Sequence, residues 1–170
     1  MLSSISYDSL DLAIFAAYAI TAGCDLLTRK ISNVIVLLVF ALAAMAELFG
    51  GVSIETAGDV AVMIGTLAGG LIAFRYGILG GGDVKLLSVS AFAVGHENWG
   101  ALMVWVALCG GLLALGYLAF ALWTRVWRAR TGRRAPSLHA IDLPYGVAIA
   151  AGTLVVLTSA GAEACGEVVP

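Results

Sequence analysis

Residues 79–87 read LGGGDVKLL, which places Asp83 and Lys85 directly after three glycines in a chain of 170 residues. Charged residues make up only 12% of this chain, and its mean hydropathy is +1.01. Hydrophobic residues make up 61%, whereas soluble domains average about 45–50%. Because the apolar residues also lie in long runs, the composition predicts an integral membrane protein.

Six apolar runs predict six helices and an all-α fold. They cover Leu10–Cys24, Val34–Phe49, Ala61–Phe74, Val84–Val94, Ala101–Trp123 and Leu143–Thr158. The runs do not alternate in polarity as the strands of an outer-membrane barrel do. With their flanks counted, the second, third, fifth and sixth approach the roughly 17–25 residues that span a bilayer, and the fourth is short. We expect one membrane-embedded domain over residues 1–170.

The basic residues lie in alternate loops, which predicts the orientation of the chain. Loop one holds Arg29 and Lys30, loop three is flanked by Arg75 and Lys85, and loop five holds Arg125, Arg128, Arg130, Arg133 and Arg134. The positive-inside rule places these loops in the cytoplasm and both termini outside, which requires an even number of helices. The five arginines of loop five are expected to lie on membrane lipid. No aromatic platform accompanies them, so we expect no nucleic-acid binding.

Three aspartates lie at the cytoplasmic helix ends, where acids are otherwise scarce: Asp25, Asp83 and Asp142. An ionised side chain at the centre of a bilayer costs at least about 2.5–3.5 kcal/mol, so such residues are candidate site residues. Asp25 also has an ordinary structural alternative, an ion pair with Arg29 four residues on. Asp83 has another, as the N-cap of a helix that begins at Val84, with Lys85 extending to the headgroups.

The length of the fourth helix favours a site at Asp83. Val84–Val94 spans roughly 16 Å, against a hydrocarbon core of about 30 Å, so Asp83 should begin below the cytoplasmic surface. Glycine backbone at that depth is tolerated where it is buried in protein or lines water. If the carboxyls of Asp25 and Asp83 come within hydrogen-bonding reach, they can share a single proton. One would then take a proton from water while the other protonates or polarises a carbonyl, which is peptide hydrolysis without a metal.

Three segments in this order resemble the type IV prepilin peptidases, membrane aspartic proteases of the GxGD type. The resemblance is to the small form associated with tight-adherence pili. Residues 80–83, GGGD, fit the GxGD motif, and Lys85 fits the lysine that follows it. Asp25, followed by Arg29, Lys30, Ile31 and Asn33, resembles the segment around the first catalytic aspartate. Residues 143–150, LPYGVAIA, resemble the start of the last helix.

The resemblance implies an endopeptidase that removes the leader peptide from type IV (Flp-like) prepilins at the cytoplasmic face of the bacterial inner membrane. It implies Asp25 and Asp83 as the catalytic residues. The residues expected to shape the site are Gly80, Gly81, Gly82, Lys85, Pro144, Tyr145 and Gly146. Asp142 is a candidate contact for the basic leader of the substrate.

The cysteines distinguish this chain from larger members of that family, which carry a cysteine tetrad and also methylate the new terminus. Cys24, Cys109 and Cys165 form no CxxC pair, so we expect no zinc, no other metal or cofactor, and no methyltransferase activity.

Two alternatives remain open on the sequence. One is a GxGD intramembrane protease that cuts other substrates within their helices. The other is a small proton- or cation-coupled transporter, which would carry broken helices at corresponding places in two inverted halves. The glycine break at 80–82 has no counterpart in the second half of the sequence.

Overall fold

The computed structural model describes residues 2–29, 31–50, 54–131 and 144–166, and all regular structure within them is helical. The helices are α1 (Leu2–Thr28), α2 (Asn33–Gly50), α3 (Ile54–Arg75), α4 (Gly81–Val94), α5 (Trp99–Thr131) and α6 (Tyr145–Gly166). The predicted all-α fold with six helices is therefore confirmed for the described part of the chain. Five helices extend beyond the apolar runs that predicted them, while α6 begins at Tyr145, after the start of its run, and ends beyond it.

The described helices differ in how clearly their length and composition indicate a membrane span. Two segments are long and apolar enough to cross a bilayer, Glu55–Arg75 in α3 and Trp99–Trp127 in α5. Three others are apolar but shorter, Leu12–Thr28, Asn33–Phe49 and Tyr145–Ala160. Six membrane spans, with both termini outside, stay a prediction.

The short helix α4 lies at the centre of the bundle. It packs against α2, α3, α5 and α6, and a hydrogen bond from Ser90 to Tyr18 connects it to α1. Eight of its 14 residues are buried, from Val84 near its start to Val94 at its end. Gly70 of α3 permits this packing, because a Cβ there would lie 2.6 Å from Cγ1 of Val84. Since its neighbours enclose α4, its length does not have to match the thickness of a bilayer.

Helices α5 and α6 run antiparallel, and α5 continues past the start of α6. A Cβ on Gly152 of α6 would lie 2.8 Å from the backbone nitrogen of Val106, so the two backbones approach closely. The Tyr145 hydroxyl, at the start of α6, lies against Gly110. The rest of α5 extends beyond this point and presents apolar side chains outward, with Leu112 73% exposed and Trp123 66% exposed. Such a surface is typical of contact with lipid.

At the opposite end of α4, a hydrogen-bonded pair fastens the turn into α5 to α3. The backbone N–H of His96 donates to Oδ1 of Asp59 at 2.6 Å, and Nδ1 of the same histidine lies 2.9 Å from that oxygen. Gly95 has φ +80°, which favours glycine and lets the chain turn toward Asp59. The hydrogen bond to Asp59 raises the pKa of His96, and the charges of Glu97 and Glu55 act in the same direction.

The raised pKa of His96 gives this pair a predictable pH dependence. The stabilisation that the protonated ring adds should be complete below the unfolded pKa of about 6.5 and should disappear as the pH rises through the folded pKa. We expect His96→Gln to lower the thermal unfolding midpoint in detergent more at about pH 5.5 than at about pH 9. In an Asp59→Asn background this pH dependence should become smaller, with only the charges of Glu97 and Glu55 left to raise the pKa of His96. An equal effect of His96→Gln at both pH values would contradict the assignment.

Candidate active site

Asp25 lies three residues before the end of α1 and is only 5% exposed. Its Oδ2 accepts a hydrogen bond from the backbone N–H of Val147 at 3.3 Å, and the carboxyl also accepts one from the N–H of Gly146. Because α6 begins at Tyr145, the N–H of Gly146 has no carbonyl partner within that helix, and the N–H of Val147 is shared between the Asp25 carboxyl and the carbonyl of Pro144 at 3.2 Å. The side chain of Asp25 thus caps α6 from a different helix, where the partial positive charge of the helix end favours an anion.

Gly146 is the residue that lets Asp25 approach α6. A Cβ at this position would lie 2.8 Å from Oδ2 of Asp25 and 2.8 Å from Cδ1 of Ile31, closer than real Cβ contacts. Pro144 is buried and directly precedes the helix, where its missing N–H removes no helical hydrogen bond. The structure therefore places Gly146 against Asp25, with Pro144 at the start of the same helix.

The ordinary structural alternative for Asp25, an ion pair with Arg29, is wrong for the described side chains. Arg29 follows α1 with φ +53°, and its backbone N–H donates to the carbonyl of Asp25 at 2.9 Å. Its positive charge acts on Asp25 only at longer range. The backbone of α6, and not the arginine, holds the carboxyl of Asp25 in place.

Asp83 lies in the first turn of α4, as the third residue of the helix. The helix begins at Gly81 with Gly80 as its N-cap in an extended conformation (φ −74°, ψ 148°). The carboxyl of Asp83 reaches back and accepts a hydrogen bond from the N–H of Gly80. The acidic third residue of a capping box makes the same contact. The alternative that Asp83 is the N-cap of a helix from Val84 is therefore wrong.

The glycines at positions 80, 81 and 82 differ in how closely an added Cβ would approach a neighbouring residue. A Cβ on Gly80 would lie 2.7 Å from Oδ2 of Asp83, and one on Gly82 would lie 3.1 Å from Cβ of Ile31. A Cβ on Gly81 would meet only Phe74, at an ordinary distance of 3.5 Å. A Cβ at the first or third position would thus require a neighbouring side chain to move, and a Cβ at the middle position would not. This is the pattern of constraint that GxGD expresses.

Ile31 brings the surroundings of the two aspartates together. It lies between α1 and α2, and it faces both Gly82 beside Asp83 and Gly146 beside Asp25. The negative charge of Asp25 acts on the half-buried carboxyl of Asp83, so the two groups lie within electrostatic range. Two carboxyls from helices distant in sequence therefore meet at one end of the bundle, an arrangement suited to general acid–base chemistry.

Lys85 lies away from Asp83, since two residues turn a helix by about 200°. Its Nζ donates to Oδ1 of Asn33 at 3.0 Å and joins the start of α4 to the start of α2. On this side of α4 an apolar groove of about 420 Å³ lies between α2 and α3, with Phe40 and Met63 in its walls. The lysine thus fastens two helices at the end of the bundle that carries the aspartates, and its side chain is exposed rather than directed at them.

Asp142, the candidate contact for a substrate leader, lies outside the described residues. Within the described ranges, no group of three or more His, Cys, Asp or Glu side chains could hold a metal ion. Cys24 and Cys109 are free thiols.

The resemblance already placed Ile31 and Asn33 in the segment around the first aspartate, but the contacts of Ile31 with Gly82 and Gly146 and of Asn33 with Lys85 were not predicted. Both residues lie in the short stretch ISN between α1 and α2. An isoleucine in an otherwise polar loop was the signal that could have indicated a buried contact.

Comparison with known proteins gives one match. A family model described as the type IV leader peptidase family matches residues 12–115, a stretch that contains both Asp25 and Asp83. No curated protein and no solved structure matches the chain.

The glycine contacts generate a prediction with a matched control one residue away. Gly80→Ala should destabilise the protein by up to about 1 kcal/mol, because its Cβ would displace the Asp83 carboxyl from the N–H of residue 80 at the N-cap of α4. Gly81→Ala should be neutral or stabilising by up to about 1 kcal/mol, since alanine favours a helix. Equilibrium unfolding in mixed micelles with a rising fraction of denaturing detergent measures both. Equal stabilities for the two variants would contradict the contact.

Proposed function

The chain belongs to the type IV leader peptidase family, and from this premise we propose that it is an aspartic endopeptidase whose catalytic pair is Asp25 and Asp83. Its substrate is a prepilin of the type IV, Flp-like class, from which it removes the leader peptide. Residues 1–170 form one membrane-embedded peptidase domain. The observation that carries the proposal is that Asp25 of α1 and Asp83 of α4 lie at one end of the bundle, on either side of the shared neighbour Ile31 and within electrostatic range of each other.

The chemistry follows from two carboxyls that hold one proton between them. The ionised carboxyl takes a proton from water as the water oxygen bonds to the scissile carbonyl carbon, while the protonated carboxyl gives its proton to the carbonyl oxygen. The resulting tetrahedral diol breaks its C–N bond: the protonated carboxyl gives its proton to the departing amine, and a diol hydroxyl gives its proton to the ionised carboxyl as the new C=O forms, which restores the pair. Either aspartate can serve as the base, because a coupled pair titrates as a unit.

The distribution of charge supports a cytoplasmic site. Described basic residues lie at the helix ends that carry the aspartates, namely Arg29, Arg75, Lys85, Arg125 and Arg130. Glu47, Glu55, Asp59 and Glu97 lie at the opposite ends. By the positive-inside rule, six membrane spans with both termini outside place the aspartates on the cytoplasmic side of the bacterial inner membrane.

One observation keeps the intramembrane protease as a second candidate. The start of α6, where Asp25 binds, lies beside Gly110, near the middle of the apolar segment Trp99–Trp127. About 20 Å of helix separates Gly110 from Trp123 at 1.5 Å per residue. A site at this depth could cleave a peptide bond inside a substrate helix as well as one at the edge of that helix. No comparable observation supports the transporter alternative, since the chain belongs to a peptidase family.

Substitution of the two aspartates tests the proposal. Asp25→Asn and Asp83→Asn should each reduce cleavage of a co-expressed Flp-like prepilin by about 100-fold or more, the range lost with a general acid or base. Asp59→Asn is the matched control, because it removes a buried carboxyl at the opposite end of the bundle and should leave cleavage intact. Chelators should have no effect, and the product should lack an added methyl group.

Cleavage retained by either catalytic variant in folded, membrane-inserted protein would refute the pair. N-terminal sequencing of the product separates the two peptidase candidates. A cut between leader and apolar helix supports the prepilin peptidase, and a cut within the apolar helix supports the intramembrane protease.

A further inference from the structure

Three hydroxyl-bearing side chains meet in the apolar interior, one from each helix that forms the candidate site. Tyr18 of α1, Ser90 of α4 and Thr153 of α6 are all fully buried. The Tyr18 hydroxyl lies 3.0 Å from Oγ of Ser90 and also forms a side-chain hydrogen bond with Thr153. We call these three residues the hydroxyl cluster. Buried hydroxyls need partners, so the cluster restricts which positions of the three helices can face one another.

One assignment of donors and acceptors satisfies all three hydroxyls of the cluster. The Thr153 hydroxyl donates to the carbonyl of Ile149 at 2.7 Å, which leaves its oxygen free to accept. Tyr18 can therefore donate to Thr153 while Ser90 donates to the Tyr18 oxygen. All three hydroxyl protons then have acceptors, and the two bonds that involve Tyr18 cross between helices.

The same spacing separates each cluster member from the site residue on its own helix. Seven residues separate Tyr18 from Asp25 and Ser90 from Asp83, and seven separate Thr153 from Gly146. Seven residues are about two helical turns, roughly 10.5 Å, and return the side chain to within about 20° of the same face. The hydroxyl cluster thus lies two turns below the site on all three helices.

We infer that the hydroxyl cluster sets the relative heights of α1, α4 and α6, and that Tyr18 is thereby a positioning residue for Asp25 and Asp83. This inference rests on the proposed peptidase function for its catalytic consequence. Sliding α1 by one residue moves Asp25 by about 1.5 Å, and a misplacement of about 1 Å can cost a reaction about 100-fold. Such sliding would separate the Tyr18 hydroxyl from both of its partners.

Thr21 shows that burial of a hydroxyl on this face is not sufficient for the role. It lies between Tyr18 and Asp25 on α1, and it is also fully buried. Its hydroxyl donates to the carbonyl of Ala17 at 2.7 Å, within its own helix. Thr21→Val is therefore a matched control that removes a buried hydroxyl without removing an interhelical bond.

The experiment compares Tyr18→Phe and Thr153→Val with the control Thr21→Val. Tyr18→Phe keeps the ring, and Ser90 can then donate to a carbonyl of its own helix, so no buried donor is stranded. Spin labels at Leu27 and Ile78, both exposed, report the distance between the end of α1 and the approach to α4. The three native cysteines are replaced by alanine for this measurement. Cleavage of a prepilin in detergent gives kcat and KM for each variant.

We expect the distance distribution to broaden in Tyr18→Phe and Thr153→Val, with kcat lowered about 10-fold or more and KM unchanged. Thr21→Val should match the parent protein in both measurements. Distance distributions identical to that of Thr21→Val would overturn the inference, whatever the activity. The distance measurement does not depend on cleavage, so it still tests the cluster if the peptidase proposal itself fails.

Discussion

The enclosure of α4 by its neighbours is the constraint on which the rest of the structure depends. A helix of 14 residues is roughly 21 Å long, too short to cross about 30 Å of hydrocarbon, so it needs protein around it. Each neighbour is adapted to it, for example by Gly70 against Val84 and by the bond between Lys85 and Asn33. The start of α4 then lies among the other helices, where its glycine backbone is shielded from lipid.

The contact between Asp25 and α6 provides hydrogen-bond partners both for the carboxylate and for the N–H groups of the first turn of α6. The first turn of any helix exposes N–H groups that need acceptors, and a carboxylate removed from water needs donors. Gly146 and Val147 supply the donors, and Asp25 supplies the acceptor. Asp83 meets the same need within its own helix through Gly80. Both carboxyls are thus held by hydrogen bonds from backbone N–H groups, which do not move when neighbouring side chains change conformation.

Local composition was sufficient to predict the helices and the two aspartates, because apolar runs and isolated charges are properties of single segments. The start of α4 was harder to predict, since glycine disfavours a helix and only tertiary packing by Phe74 and Ile31 keeps Gly81 and Gly82 within it. Lys85 was expected to extend to the headgroups, and its actual partner Asn33 lies 52 positions away. Single segments do not reveal such long-range partners.

The equal spacing on α1, α4 and α6 also bears on how this chain can change in evolution. Inserting or deleting one residue between Tyr18 and Asp25 would turn the carboxylate by about 100° away from the start of α6. The corresponding stretches of α4 and α6 carry the same restriction. The C-terminal half of α5, whose exposed side chains include Leu112 and Trp123, carries no such restriction, so its length can change without moving the two aspartates.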